Sequence, residues 1–330
     1  MIWTPLCDLL GIKHPILQGG MAWAASAELA AAVSNAGGLG IVGAGDCPSD
    51  VVRRELQRVR SLTDQPFGAN VPLFTTGLEE TLQVFIDEGV SVVTVGGGNA
   101  GPYLPPLQRA GIRVIPVVAS VALARRMSRL GVDALIAEGL ESGGHVGDVA
   151  TLPLVPQVVD AVDLPVIAAG GIADGRGLAA ALALGAAGIQ MGTRFICSTE
   201  CLAHAKYKQR IVRAHDRATV VTGESFGHPV RSIRGQFIRY LKELEQRGVS
   251  QEEFMAFGAG TLRAAIIDGN LDRGSVMAGQ SAGLVDDIVP VQRLIERIVA
   301  EAETAIRNSA EQLTNSKGKE ADQGRMPPCK

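Results

Sequence analysis

Pro165-Val-Ile-Ala-Ala-Gly-Gly-Ile-Ala-Asp174 and, further along, Gly188-Ile-Gln-Met-Gly-Thr-Arg194 decide how this chain is read. Each begins as a short uninterrupted apolar run and ends in glycine, with a helical pattern between the two. An uninterrupted run, rather than an alternation of period two, is what a parallel strand buried on both faces requires. The glycines at the carboxyl ends serve another purpose. Lacking a Cβ, they let backbone N–H groups approach an anion closely, so Ala169, Gly170, Gly171, Gly192 and Thr193 read as a phosphate site. Two tight turns that need glycine for their own geometry are the plainer alternative.

Outward from this pair the same unit recurs. Pro15–Gly20, Leu39–Ala44, Pro66–Val71, Val90–Val95, Arg113–Val118 and Ala134–Glu138 are further apolar runs, giving eight in all. They are separated by helical stretches at intervals of roughly 20 to 30 residues, as βαβ units require. The expected fold is α/β, a (β/α)8 TIM barrel. An open doubly wound sheet is the alternative; the strand count favours the barrel. Ser49 is expected to cap the helix that follows the second strand. Beyond Gly192 the regularity breaks. Residues 197–273 are charged, helical in pattern and poor in strand signals, an inserted small helical subdomain after the eighth strand. The barrel then comprises 1–196 and 274–312, closing with an amphipathic helix over Val291–Ile306. The polar tail 313–330 is expected to lack regular structure.

Composition narrows the classes. The chain has 330 residues, 46% of them hydrophobic and 20% charged, with 40 glycines and 4% aromatics. That length suits a barrel of roughly 250 residues plus an insertion. A net charge of −3 offers no basic footprint for nucleic acid. The five cysteines form no CxxC pair, so structural zinc is not expected. Their odd number, with no secretory leader in view, points to a reducing cytoplasm. The longest apolar stretch, Leu178–Ala187, is too short to span a membrane.

In barrels the chemistry sits at the carboxyl ends of the strands. There the loop Gln18-Gly-Gly-Met-Ala22 offers backbone amides, and Asn70 offers a carboxamide that both donates and accepts. Glu138 and the run Glu141-Ser-Gly-Gly-His145 follow the sixth strand. His145, flanked by glycines, reads as an acid, base or substrate-orienting imidazole; a surface-loop histidine is the alternative. His14, His204 and His215 fall outside these loops, and His228 lies in the insertion. No HExxH or Walker A motif is present, and the protein is expected to position a cofactor rather than supply a nucleophile.

Gln18-Gly-Gly-Met-Ala-Trp23, Asn35-Ala-Gly-Gly-Leu-Gly40, Glu141-Ser-Gly-Gly-His-Val-Gly147, Ala168-Ala-Gly-Gly-Ile-Ala-Asp-Gly175 and Gly192-Thr-Arg-Phe195 together resemble the nitronate monooxygenase superfamily. The resemblance runs from about Ile2 to Glu301. Ser225-Phe-Gly-His-Pro-Val-Arg231, Gly258-Ala-Gly260 and Gly274-Ser-Val-Met-Ala-Gly-Gln280 look most like its FMN-dependent enoyl-acyl-carrier-protein reductase II branch. The resemblance implies that Gly20, Met21, Ala22 and Asn70 contact the flavin, with Glu138, Gln190 and Met191 completing the set. It implies that Ala169, Gly170, Gly171, Gly192 and Thr193 cradle the phosphate of FMN, that Met277 and Gln280 close the pocket, and that His145 stands over the open face of the ring. NADH or NADPH would be the electron donor. Some members respond to a monovalent cation, whose ligands no motif here locates, so any metal site stays unknown. The substrate would be an enoyl group on acyl carrier protein or, in the nitronate monooxygenases, a small alkyl nitronate. A non-catalytic flavin-binding barrel is the third reading, and a homodimer is a family expectation.

Overall fold

The computed structural model describes residues 2–45 and 47–323, with side chains described to residue 312. In chain order its strands are β1 Ile16–Gln18, β2 Gly40–Gly43, β3 Phe67–Pro72, β4 Val92–Gly96, β5 Arg113–Val118, β6 Leu135–Glu138, β7 Gly144–His145, β8 Val166–Ala169, β9 Gly188–Met191, β10 Thr219–Thr222 and β11 Val230–Ile233. Eight of them form one parallel sheet in the order β1-β9-β8-β6-β5-β4-β3-β2. The open edges meet at a single bridge, Leu17 to Leu39. Gln18 extends that seam. Its side-chain Oε1 accepts the Ile41 N–H at 3.1 Å and its Nε2 donates to the Ile41 carbonyl at 3.0 Å, so a carboxamide stands in for a peptide group. The result is the expected (β/α)8 barrel.

Alternation along each strand sorts the apolar runs into two layers. Leu17, Leu39, Ile41, Val92, Ile115, Ile136 and Ile167 turn inward and pack as one cluster with Leu6, Cys7 and Leu10. Those last three belong to the helix Pro5–Leu10, which plugs the base of the barrel. The alternate residues, among them Ile16, Val42, Ala69, Val93, Val114, Leu135 and Ile189, face the surrounding helices. Helix Ser49–Leu62 shows why such segments are helical: Val52, Leu56 and Val59 recur at helical spacing and are its buried stripe. Ser49 is its first helical residue, and Pro48 holds the N-cap with a φ of −57°. Proline has no N–H to satisfy and its ring already fixes that angle, which corrects the capping role expected of Ser49.

The terminal helix runs Val291–Gln323, longer than the amphipathic pattern, so the boundary expected at 312 falls within it and residues 324–330 lie outside the described residues. It lies so close to helix Gly175–Ala183 that a Cβ on Gly175 would come within 2.3 Å of the Ile298 carbonyl oxygen. The insertion contains helices Ala205–Val212, Gln236–Arg247, Gln251–Gly258 and Thr261–Ile266, and Phe237, Ile238, Leu241, Leu244 and Phe254 form a core of its own. It is not wholly helical, however. β10 and β11 make an antiparallel ribbon, to which β7 from the barrel side adds a third strand through Val230–His145 and Arg231–Gly144. The strand signal was hidden because Thr219–Thr222 and Val230–Ile233 are short and sit among charged residues.

Candidate active site

At the mouth the inward layer changes character. Two residues beyond Ile136 comes Glu138, in register with Ala169, which is in register with Gln190. Across the barrel Asn70 is in register with Thr94. Aliphatic residues below therefore give way to a carboxyl, two carboxamides and a hydroxyl above, on the same inward-facing parity of their strands. Asn70 Nδ2 donates to Thr94 Oγ1 at 3.0 Å, fixing the amide's direction. Asn70 also packs directly on the first loop: a Cβ on Gly20 would meet Asn70 Cβ at 2.2 Å, so only glycine fits there. Thr94 was not singled out from the sequence. Its place on the inward parity with Val92 was the available signal.

Glu138 is half-buried, and loss of solvation lifts its pKa from 4.5 to about 7, against the pull of the Ser142 hydroxyl. A carboxyl that titrates near neutrality in a mouth can hold a proton and donate it.

The glycine loops converge on the same opening. Gly170 and Gly171 have φ of +93° and +75°, in the left-handed region that side chains disfavour. A Cβ on Gly170 would lie 2.9 Å from the Gly139 carbonyl oxygen, whereas one on Gly171 would meet nothing closer than Glu141 Cβ at 3.5 Å. The loop is pinned from outside. Thr151 donates its backbone N–H to Glu141 Oε2 at 2.9 Å, and its hydroxyl lies 2.9 Å from the same oxygen and 3.1 Å from the Gly170 carbonyl. Asp174 caps the next helix, accepting the Gly177 N–H at 3.2 Å, and Glu301 accepts the Gly175 N–H at 2.9 Å. At the end of β9, Gly192 lies beside Met21, whose Sδ would be 3.3 Å from an added Cβ. Met191 is buried, and Gln190 lies against Gly19. Thr193, expected in the phosphate site, is buried and accepts the Gly279 N–H at 2.9 Å through Oγ1, leaving its own proton for another acceptor.

His145 sits on β7 at the rim, exposed, with its ring 5.0 Å from that of Phe74. Phe74, itself exposed, was missed because nothing in its sequence neighbourhood marks it. Met277 reaches the same rim: its Sδ would be 3.7 Å from a Cβ on Gly144, and its carbonyl accepts the buried Tyr207 hydroxyl at 2.8 Å. Gln280 donates its backbone N–H to the Glu141 carbonyl at 2.8 Å, and its side chain is exposed. Ala22, half-buried, precedes Trp23, which holds a φ of +65° and has the Arg263 guanidinium 5.5 Å over its ring. The insertion thus touches the first loop through Arg263 and the sixth through β11. Of the remaining histidines only His228 is near this rim, next to Pro229, whose carbonyl accepts the Val146 N–H at 3.1 Å. His14 is buried below the barrel, His204 accepts the Lys206 N–H at 3.1 Å, and His215 and His228 are exposed. Among the described residues no group of three or more His, Cys, Asp or Glu is placed to hold a metal ion, and no helix is long and apolar enough to cross a membrane.

Comparison with known proteins agrees with this geometry. A solved structure of FabK from Thermotoga maritima superposes with a TM-score of 0.91 at 49% identity, covering 96% of this chain and 100% of that one. A nitroalkane oxidase from Streptomyces ansochromogenes gives a TM-score of 0.82 at 31% identity, over 92% of this chain and 99% of that one. A Mycobacterium tuberculosis protein named (3aS,4S,5R,7aS)-5-hydroxy-7a-methyl-1-oxo-octahydro-1H-indene-4-carboxyl-CoA dehydrogenase is 36% identical, covering 93% of this chain and 98% of its own length. A probable nitronate monooxygenase of Staphylococcus saprophyticus is 33% identical, over 91% and 97%. The family model for nitronate monooxygenase matches residues 4–76 and 73–301. The chain belongs to the nitronate monooxygenase family, whose members are named as oxidoreductases.

Proposed function

We propose that this protein is an FMN-dependent oxidoreductase that draws on NADH or NADPH to reduce the carbon–carbon double bond of an enoyl thioester carried on acyl carrier protein or coenzyme A. The observation that carries the reading is the mounting of His145. Its strand, β7, is paired to β11 through Val230 and Arg231, the last two residues of the Ser225–Arg231 motif that resembles the enoyl reductase branch. The branch-like segment is therefore the one that sets the imidazole at the rim. The M. tuberculosis relative named for a carboxyl-CoA substrate, at 36% identity, favours a thioester.

FMN fits the residues on the test of the cradle. At Gly171 the backbone turns through a left-handed φ with nothing closer than 3.5 Å to where a Cβ would stand, an open glycine turn of the kind in which backbone amides can receive a phosphate. Gly170, Gly171, Gly192 and Thr193 would hold that phosphate. Asn70, Glu138 and Gln190 would face the mixed donors and acceptors of the ring edge. When bound there, the group supplies reversible hydride transfer, chemistry the side chains lack. The chain itself contributes position and a proton. Phe74 and Met277 wall the rim, and His145 at the same rim would donate the proton that the saturated product needs at its α-carbon.

Two assays on the purified protein test this: NADH or NADPH oxidation with a crotonyl thioester, and oxygen uptake with an alkyl nitronate. Thioester-dependent turnover is expected. Oxygen uptake driven by the nitronate, without NADH or NADPH turnover, would overturn the reading in favour of nitronate oxidation. His145→Ala is expected to keep its flavin while losing about 10²- to 10⁴-fold in turnover; an unchanged rate would remove His145 from the chemistry.

A further inference from the structure

The chain's charge is not evenly spread. Residues 197–273 carry twelve Lys and Arg against nine Asp and Glu, a surplus of positive charge in a chain whose net charge is −3. Much of that surplus gathers at one place, a cavity of about 330 Å³ in the insertion lined by Arg210, Arg234, Arg239 and Asp272 over a floor that includes Ile233 and Val276. Among the described residues none of the three guanidiniums makes an ion pair with a carboxylate. Arg210 and Arg234 spend one hydrogen bond each on main-chain carbonyls, those of Arg234 and Arg217. Three like charges around one hollow repel each other, and one exposed aspartate at the rim is too few to balance them. The twelve-residue helix Gln236–Arg247 begins at the same hollow with Gly235 as its N-cap, without a side-chain cap. Its unsatisfied N–H groups and positive dipole end add to the field of the arginines.

The cavity lies behind the wall of the active-site mouth. Ile233 donates its N–H to the Val276 carbonyl at 2.8 Å, and the next pair, Ser232 with Met277, is a bridge. Side chains alternate along such a strip, so Val276 faces the cavity while Met277 reaches Gly144 beside His145. A ligand seated in the cavity would have the reaction centre on the far side of a single strip of chain.

We infer that this arginine-lined cavity binds a phosphoryl group of a reactant, a phosphomonoester or diphosphate at the end remote from the reacting atoms. Guanidinium pairs grip phosphate bidentately, and an uncapped helix N-terminus complements them. The phosphoryl group could belong to the carrier of the thioester or to the dinucleotide donor, and only the choice of these two sources rests on the proposed function. The test is calorimetric titration of the holoprotein with coenzyme A, 3′-dephospho-coenzyme A, NADPH and NADH at low salt, in wild type, Arg239→Gln and Arg239→Lys. Arg239→Gln is expected to weaken at least one phosphorylated ligand by about 10-fold or more, and Arg239→Lys by less, because it keeps the charge and loses the fork. Weakening confined to coenzyme A assigns the site to the thioester carrier. Weakening confined to the dinucleotides assigns it to the electron donor. Unchanged affinity for all four ligands, in Arg239→Gln and in the Arg210→Gln/Arg239→Gln double variant, overturns the inference. A wild type that turns over no thioester, with ligand binding still lost in the variants, would sink the proposed function and leave the phosphoryl site standing.

Discussion

The two ends of the barrel interior are made by the same strands, yet they hold together by different physics. At the base, Leu17, Leu39, Ile41, Ile115, Ile136 and Ile167 interdigitate under the helical plug of Leu6 and Leu10. Their attraction is non-directional and scales with buried area. At the mouth, one pleat repeat further on, the inward residues are Asn70, Thr94, Glu138 and Gln190. The loops there are pinned by carboxylates: Glu141 on Thr151, Asp174 on Gly177 and Glu301 on Gly175. Two residues along a strand, about 6.6 Å, separate a region specialised for stability from one specialised for direction and charge. A defect at the base should cost packing and be indifferent to pH, whereas a defect at the mouth should carry a pH signature.

The largest effect expected is at the base. Ile136 is fully buried, in register with Val117 on one side and Ile167 on the other. Ile136→Ala should lose about 2–5 kcal/mol in denaturant unfolding, from the apolar surface removed and the cavity left behind, and the loss should be the same at pH 5 and pH 8. A loss under about 1 kcal/mol would mean that the base is not close-packed and that the contrast between the two ends is wrong.

Glu138, two residues on, should behave in the opposite way. Its pKa is about 7 in the folded chain and near 4.5 when solvated, so between those values the folded state binds more protons than the unfolded one. Stability attributable to Glu138 is then complete at low pH and falls as pH rises through about 7. Glu138→Gln keeps the shape and removes the titration. Variant and wild type should be similar near pH 4.5, and the variant should be the more stable at pH 8. A tenfold change in a proton's affinity is worth about 1.4 kcal/mol, and partial exposure brings the expected difference at pH 8 to roughly 1–3 kcal/mol. Parallel stability–pH curves would show that Glu138 is not desolvated.

These contrasts also mark what could be read from the sequence. The barrel was legible because eight short, mostly apolar runs at the spacing of βαβ units admit few other arrangements, and Gly170, Gly171 and Gly192 stand at strand ends where the structure places them. Asn70, Glu138 and Gln190 were found one by one, but not as a layer. The layer depends on register between strands, which no single run encodes. Phe74 beside His145 and Arg263 over Trp23 are contacts across large sequence separations, with no local pattern to announce them. The β10–β11 ribbon escaped for a different reason. Its strands are four residues each, and β11 is held at the rim largely by pairing with the two residues of β7. Its strand character is tertiary rather than intrinsic. Thr193 shows a third kind of gap: the residue was identified, but its bond to Gly279 depends on where residues 274–280 return to the barrel.

The smallest effect expected belongs to Asp174, at the mouth like Glu138 but of opposite sign. Burial alone would raise its pKa, yet the Arg176 guanidinium and the Gly177 N–H outweigh burial and hold the carboxyl below its ordinary range. Its contribution is therefore present above the usual carboxylate range and lost as pH falls through the folded value. Asp174→Ala removes the N-cap of helix Gly175–Ala183 and should cost about 1 kcal/mol at pH 7, while Asp174→Asn, which keeps an acceptor, should cost a fraction of that. Below the titration of Asp174 the difference between wild type and the alanine variant should shrink. Glu138→Gln and Asp174→Ala thus both approach wild type in acid and diverge from it in opposite directions at neutral pH. Two carboxylates of one mouth that diverged in the same direction would show that burial, rather than the partners each has been given, governs that end of the barrel.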